Sequence, residues 1–405
     1  MCGLLCAIGL KKAGIDVHIF EAAPKFDEIG AGVGLGPNAL RALKELGVLD
    51  AVLLRADERV PTERSFTFVT GAGAHEHIYD YPTLPQDVGI GIYRPAFLEA
   101  LLPLLDPLIT HFNKRCTSIS CSDQGTHALH FADGTAHETD LVVGADGIRS
   151  VVRNFVVKNE PDPLVFSNTV AYRALVSADV LESAGVKTNL RQRPVCFVGD
   201  DRHIITFPIQ GKKMINIVAF STNSRLLVGS VTIPLPWVES VSEKELLDEY
   251  AGWGNDARII LGHIQQPSKW YIHYLDPPLS SYIHQRIVLI GDAAHAMAPH
   301  LGSGVGQGFE DVFVLCALLG HPNTRKANLE AAIRTYDSIR RPRANMVLRQ
   351  SSMAGEIYEA HGKDGETIQS LRHKLKGIWA PVWHHDLAAD IVTVMDSLHA
   401  RKARL

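Results

Sequence analysis

Residues 287–311 read I-V-L-I-G-D-A-A-H-A-M-A-P-H-L-G-S-G-V-G-Q-G-F-E-D. Arg286 and the apolar residues after it, to Ile290, predict a short buried parallel strand by length and content. Such a strand delivers Gly291-Asp292 to its carboxyl end, the edge where open α/β sheets bind ligands. There Asp292 can accept hydrogen bonds from a polyol. Gly302, Gly304, Gly306 and Gly308 alternate before a helix expected to run to Leu319. The glycines permit close approach of backbone to a ligand, and the helix N-terminus favours an anion.

Two further segments point the same way. Residues 140–153, D-L-V-V-G-A-D-G-I-R-S-V-V-R, predict a buried strand, a tight turn at Asp146-Gly147, and a helix with Arg149 and Arg153 on one face. Arginines so placed can meet phosphate oxygens. Near the start, Gly3 and Glu21 carry half of a dinucleotide fingerprint. A glycine packs the first helix on the sheet, and an acid about 20 residues on accepts from ribose hydroxyls. The chain starts at Met1, past the place of the first strand and of the two leading glycines.

Working outward, residues 4–13 predict a helix stopped by Gly14, and 17–20 a buried strand. Residues 37–46 predict a helix with Pro37 at its start and Gly47 past its end. Arg94-Pro95 opens a helix through Leu105. From Cys116 to Gly144 the pattern shifts to short strands, with turns at Gln124-Gly125 and Asp133-Gly134. Further strands are expected at 169–176, 194–198, 203–208 and 214–220, the last pair joined at Gln210-Gly211. Ser242 with Glu245 makes a capping box for a helix to Tyr250. Pro342 opens a helix through Ala360. The order is α/β, then β, then α/β again. It predicts a Rossmann-like domain, lacking its first strand in this chain, interleaved with a β-sheet domain. The expected division is 1–155 and 276–350 for the nucleotide-binding part, 156–275 for the β-rich part, and 351–405 for a C-terminal helical segment.

Composition bounds the alternatives. With 46% hydrophobic and 21% charged residues the chain is globular rather than disordered. At 405 residues it exceeds what one compact core usually needs. The net charge is −4 with the signs mixed and no basic block, which argues against a nucleic-acid partner. Of six cysteines, Cys2 and Cys6 stand one helical turn apart, but no matching His or Cys pair lies nearby. They read as buried thiols of a reducing, cytoplasmic compartment, with no metal expected. No apolar run is long enough to span a bilayer. The apolar start precedes Lys11 and Lys12, the reverse of a signal peptide.

At the Gly291–Asp311 and Asp146-Gly147 segments, and at Pro299-His300-Leu301-Gly302, the chain resembles the FAD-dependent aromatic hydroxylases of the salicylate hydroxylase and para-hydroxybenzoate hydroxylase class. The likeness runs from Gly3 to about Arg349. A reduced flavin carries negative charge on its pyrimidine edge, which suits a helix terminus. The resemblance implies that Glu21 binds the adenosine ribose, with Gly3 and Gly34 beside the cofactor, and that Arg94 contacts FAD. It places Asp146 and Gly147 near the pyrophosphate and the nicotinamide path, and Asp292 on the ribityl chain. Gly304, Val305 and Gly306 come beside the isoalloxazine ring, with Pro299 over its reactive edge.

Ala171-Tyr172-Arg173-Ala174-Leu175 is similar to a segment that supplies an active-site arginine in phenol-dearomatising members, so Arg173 is the expected partner of a phenolate. Those members also use a tyrosine just before a proline. Here the position holds Phe207, before Pro208, and a Phe has no hydroxyl to offer. That favours simple ring hydroxylation. Strand alternation puts His203, not Arg202, on the face of Phe207. The implied chemistry is hydride transfer from NADPH or NADH to the flavin, then attack of a flavin hydroperoxide, formed with O2, on a small phenolic substrate, in a biosynthetic setting. Three alternatives stay open: a flavin reductase or dehydrogenase without oxygen insertion, a truncated inactive flavoprotein, and a start codon assigned too far downstream. The last two carry an expectation of weak FAD binding by this 405-residue chain.

Overall fold

The computed structural model describes residues 1–26, 32–56, 59–63, 65–122, 125–158 and 161–402, with side chains to 395. Apolar residues of the Cys2–Lys12, Pro37–Glu45 and Gly304–Leu319 helices pack with the Ile287–Leu289 strand into one core, including Leu5, Leu43, Leu289, Phe309 and Tyr336. Two parallel ladders belong to this half. Ile19–Phe20 pairs Thr110–His111, and Val142–Gly144 pairs Ile287–Leu289. Gly32–Leu35 runs antiparallel to Val88–Tyr93, which leads directly into the Arg94–Leu101 helix.

The second half is an eight-stranded sheet in the order Val238–Ser240, Ser268–Leu275, Leu164–Ser177, Met214–Thr222, Arg202–Ile209, Val195–Val198, Thr67–Thr70 and His77–Asp80. The last two strands come from inside the first 155 residues, so both halves are stitched into this sheet. Successive side chains alternate faces. Tyr172, Phe197, Ile204, Ile217 and Ala219 pack on one face with Leu246, Ala257 and Ile260 of two short helices. Phe68, Cys196 and Val198 pack on the other with Val347, Ala354, Tyr358 and Trp379.

Most expected elements form close to their expected places. Gln210-Gly211 turns its hairpin as expected, but within a four-residue loop closed by the Ile209–Met214 pair, with Gln210, Gly211 and Lys212 at φ 52°, 62° and 66°. Gly134 turns its hairpin at φ 80°. Gln124 lies outside the described residues. The first strand is shorter than expected, Ile19–Phe20 alone. The helix opened by Arg94 ends at Leu101 and tightens to a 3-10 turn over Leu102–Leu104, where Pro103 removes an N–H.

Four expectations need correction. The helix before Leu319 begins at Gly304, so Gly304, Gly306 and Gly308 lie inside it and only Gly302 precedes it. Packing explains this: a Cβ on Gly308 would stand 2.4 Å from Cys2 Sγ, and one on Gly306 3.1 Å from Asn38 Nδ2. Pro342 does not open a helix but sits within the 30-residue Leu329–Tyr358 helix. The carbonyl of Ser338 loses its donor there, and buried Tyr336, Ile339, Arg340 and Arg343 hold both sides in place. Arg153 is fully buried and donates to Asp162, the Ile148 carbonyl and the Ala293 carbonyl, so it is spent on the fold and meets no phosphate. Arg149 precedes the Val151–Val157 helix and leans on Trp237, 6.0 Å from its ring centre. Last, the capping box at Ser242 is half made. Ser242 Oγ accepts from Glu245 N–H, while the Glu245 carboxylate takes Lys269.

Candidate active site

The loop after the Ile287–Leu289 strand is held by a buried ionic network. Gly291 has φ 60°, a conformation glycine supplies at no steric cost. Its N–H donates to Asp311 Oδ2 at 2.8 Å, which His295 Nε2 also meets at 2.5 Å. Asp311 Oδ1 accepts from Arg340 Nε, and Arg340 Nη1 donates to Glu310. Glu310 further accepts from Arg343, Gln307 and Asn38. Burial opposes ionisation of both acids, yet the arginines, with His295 on Asp311, hold both carboxyls below the usual range. Each buried charge is therefore compensated. The network joins the Gly291-Asp292 turn to the Gly304–Leu319 and Leu329–Tyr358 helices and, through Asn38, to the Pro37–Glu45 helix.

The residues expected around the cofactor are placed on this frame as follows. Asp292 is exposed, and its carboxylate makes no hydrogen bond among the described residues. The Gly304–Leu319 helix has no side-chain cap. The first backbone bond at its start is Gln307 N–H to the Ser303 carbonyl, which leaves the N–H groups of Gly304, Val305 and Gly306 without acceptors. Uncapped donors on a 16-residue helix suit an anionic edge. Ile290 N–H donates to the Gly144 carbonyl, so the Asp146-Gly147 turn lies beside Gly291-Asp292. Gly147 has φ 75° and open space where a Cβ would stand. Asp146 is engaged in capping, accepting from Ser150 Oγ and from Val151 and Val152 N–H. Gly3 backs on Ala145, 3.2 Å from where its Cβ would be. Half-buried Glu21 follows the Ile19–Phe20 strand and takes the Ala23 N–H on Oε1. Gly34 pairs with Gly91. These residues fit FAD: a free carboxylate for a polyol, unspent N–H donors, and glycines where a flat ligand passes close.

The sheet presents the opposing wall. Pairing runs His203–Phe220–Ala171, Ile205–Val218–Arg173 and Phe207–Asn216–Leu175, so Arg173, His203 and Phe207 share one face. Arg202 points away and pairs with Glu249, as alternation required. Arg173 makes no hydrogen bond or ion pair to a carboxylate among the described residues, and its Nε is buried without a partner. Its guanidinium stands 4.9 Å from the Trp270 ring centre. Burial, and repulsion from Arg94 on the neighbouring half, lower its pKa from the ordinary arginine value. Arg94, far away in sequence, thus stands close enough to Arg173 for the two charges to repel. Phe207 packs near Gly32, where a Cβ would stand 3.5 Å from its ring. Two surface cavities of about 380 and 540 Å³ share no lining residue with this face.

Pro299 is half-buried on the segment between Asp292 and the Gly304–Leu319 helix. Its carbonyl accepts from Gly302 N–H. Ser351 Oγ donates to the Ala298 carbonyl and accepts from Leu301 N–H, while Trp379 Nε1 donates to the Leu301 carbonyl. His300 is driven inward against Gly355, and a Cβ there would stand 2.6 Å from His300 Cδ2. Gly355→Ala will therefore displace His300 and destabilise the fold by about 1–3 kcal/mol, as overpacking does; urea unfolding checks it. Reading by motif missed Glu359, which carries no local signal and whose Oε1 lies 2.9 Å from His203 Nδ1, and treated His300 only as part of its segment.

The FAD binding domain model matches residues 1–351. A salicylate hydroxylase of Pseudomonas putida is 39% identical over 386 residues, 93% of this chain and 88% of its own length. A 6-methylsalicylate 1-monooxygenase of Aspergillus terreus is 32% identical over 402 residues, 95% of this chain and 87% of its own. Among solved structures, a salicylate hydroxylase substrate complex superposes with a TM-score of 0.85 at 30% identity, covering 96% of this chain and 94% of that one.

Proposed function

The chain belongs to the FAD-dependent aromatic hydroxylases, and from that premise we propose that it inserts one atom of O2 into the ring of a small phenolic substrate, with NADPH or NADH as reductant. Bound FAD supplies the redox chemistry and the activation of oxygen. The chain's own residues bind, orient and shield. In this reading residues 1–155 and 276–350 hold FAD, 156–275 form the substrate wall, and 351–405 close it from behind.

Asp292 holds the ribityl hydroxyls, and Glu21 takes the adenosine ribose through its remaining carboxylate oxygen. Gly3 and Gly34 let the cofactor pass, Arg94 contacts it, and Asp146-Gly147 shapes the pyrophosphate and nicotinamide side. The unspent N–H groups of Gly304, Val305 and Gly306 would hold the flavin ring and stabilise the negative charge it gains on reduction. Pro299 would help exclude water from it. His203 and Phe207 line the substrate side.

One observation carries the reading: Arg173 is a half-buried cation without a carboxylate partner among the described residues, on the sheet face it shares with His203 and Phe207. Such a group favours the ionised form of a phenol, and the phenolate is the better nucleophile toward electrophilic oxygen. With Arg94 near, the site suits a phenol that also bears a carboxylate. Phe207 removes the hydroxyl that dearomatisation would draw on, leaving plain ring hydroxylation. The decisive experiment is the visible spectrum of the purified protein with FAD, then NADPH and NADH oxidation against a panel of hydroxybenzoates under ¹⁸O₂. Products carrying one labelled oxygen are expected. Reductant consumption with no labelled product from any phenol would leave a reductase instead.

A separate variant isolates the cofactor side. Asp292→Ala removes a charged hydrogen-bond acceptor, an interaction of about 1.5–3 kcal/mol. FAD retained after desalting should fall at least tenfold in affinity while the fold stays intact by circular dichroism. Full occupancy in the variant would reject that role.

A further inference from the structure

Residues 121–127 read C-S-D-Q-G-T-H and join two strands, Cys116–Cys121 and His127–Phe131. Ser122 N–H donates to the Thr126 carbonyl and Gly125 N–H to the Ser122 carbonyl, which clamps the ends of the turn. The register then sets Cys121 directly opposite His127, so both side chains share one face. Cys121 Sγ lies 3.2 Å from His127 Nδ1 and 3.1 Å from Gln285 Oε1. Gln285 holds a left-handed φ of 52° between the Ile283–His284 and Ile287–Leu289 strands, and Arg286 Nη1 donates to the Gly125 carbonyl. A thiol and an arginine thus dock this hairpin on the strand that leads to Gly291-Asp292.

The thiols of the chain differ in setting. Cys6, Cys196 and Cys316 are buried, and Cys2 and Cys116 half-buried. Burial pushes the Cys2 thiol up to about 12 and raises those of Cys116 and Cys196. Cys121 is exposed, and among the described residues it alone of the cysteines meets an imidazole. His127 is buried, and its Nε2 has no hydrogen-bond partner among the described residues. Nothing on the far side of the ring therefore fixes its tautomer. The ring can offer a bare Nδ1 to the S–H, while Gln285 turns its amide N–H onto the sulfur. Burial, with repulsion from Arg286 and His284, holds His127 below the ordinary histidine range. It is neutral at rest, a base set against the thiol. Arg286 and His284 also make these surroundings electropositive, which favours the thiolate that forms during attack.

We propose that Cys121, with His127 as its base, is a site of reversible oxidation by hydrogen peroxide, ending in a mixed disulfide with a small thiol of the glutathione class. Peroxide from any source serves, so the site does not depend on the hydroxylase reading. His127 Nδ1 takes the S–H proton as the sulfur attacks one peroxide oxygen. An S–O bond forms and the O–O bond breaks. The departing hydroxide takes the proton from His127 and leaves as water. The sulfur loses two electrons and the peroxide gains them, giving a sulfenic acid. A small thiol then attacks that sulfur, and the hydroxyl leaves with the thiol's proton as a second water. Either product has lost the S–H that Gln285 receives.

The test uses FAD-loaded enzyme, hydrogen peroxide and dimedone, which traps sulfenic acids, with adducts assigned to residues by mass spectrometry. Cys121 should be labelled at least tenfold ahead of every other cysteine, and at least tenfold faster than free glutathione at the same pH. Exposure alone would give no rate above that of glutathione. His127→Gln keeps a hydrogen-bonding side chain but no base. It should bring the Cys121 rate down to that of glutathione and leave FAD content unchanged. With peroxide and glutathione together, Cys121 should gain one glutathione that dithiothreitol removes. Cys121→Ser should abolish both adducts with FAD content unchanged. Labelling of Cys121 no faster than glutathione, or spread evenly over the cysteines, overturns the site, and neither measurement needs a variant that folds. An undiminished rate in folded His127→Gln overturns the role of His127.

Discussion

Arg340→Leu will destabilise this protein by about 3–5 kcal/mol, the range seen when one partner of a buried ion pair is removed. Arg340 is fully buried and donates to Asp311, Glu310 and both oxygen acceptors of Gln307. Without it, two carboxylates stay in the core with less compensation. The loss is a large share of a typical folding free energy of about 5–15 kcal/mol. The pH dependence of stability should also reverse. In the parent chain Glu310 and Asp311 titrate below their ordinary values. Their contribution is therefore present above the unfolded carboxylate pKa, about 4, and is lost as pH falls through the folded values. In Arg340→Leu, burial prevails at Asp311 and pushes its pKa up, so stability should rise as pH falls from 8 to 5. Urea midpoints for both chains at several pH values test this. An equal deficit at pH 5 and pH 8 would show that packing, not charge, is what Arg340 provides. Because Asp311 also positions Gly291, FAD release should accompany the loss.

Arg173→Ala should instead spare the fold and the cofactor while separating reduction from hydroxylation. In the proposed reading the guanidinium serves the substrate, not the flavin, so the bound-flavin spectrum should be unchanged. Losing one preorganised charged donor typically costs about 10²–10³ in rate, and kcat/KM for the phenol should fall by that order. Reductant oxidation should continue with peroxide as its product. The yield of hydroxylated product per NADPH consumed is the measurement, and an undiminished yield rejects the role. Arg173→Lys should not rescue fully, because an ammonium lacks the planar fork and stacks poorly on Trp270. The structure adds a second consequence. Removing Arg173 relieves its repulsion with Arg94, which offsets part of the packing lost against Trp270.

Much of this was legible in order along the chain. The run from Ile287 to Asp311 declares a strand, a turn and a helix because each depends on neighbours in sequence: β-branched content, a glycine at positive φ, and a helix start. Gln210-Gly211 declares a hairpin for the same reason, and the period-two pattern put His203 rather than Arg202 on the face of Phe207. Local chemistry misled where a distant partner outweighed it. Pro342 looks like a helix start, yet the helix runs through it because Arg340 and Arg343 are tied to Glu310 on another helix. Arg153 looks like a phosphate ligand, yet Asp162 and two carbonyls consume it.

Sequence alone determined the class of fold, the glycine-lined turn at Gly291-Asp292 and the candidate residue Asp292, since spacing along one segment decides these, while Arg173 and Pro299 rested on the resemblance to a family. Only the tertiary structure brought Arg94 to Arg173, Glu359 to His203, and Asn38 to Glu310. Those pairs are separated by dozens to hundreds of residues, and their meeting depends on how two halves of the chain pack. No periodicity or motif encodes which buried charge will face which, because the energy that selects the pairing is desolvation, and desolvation exists only once the core has closed.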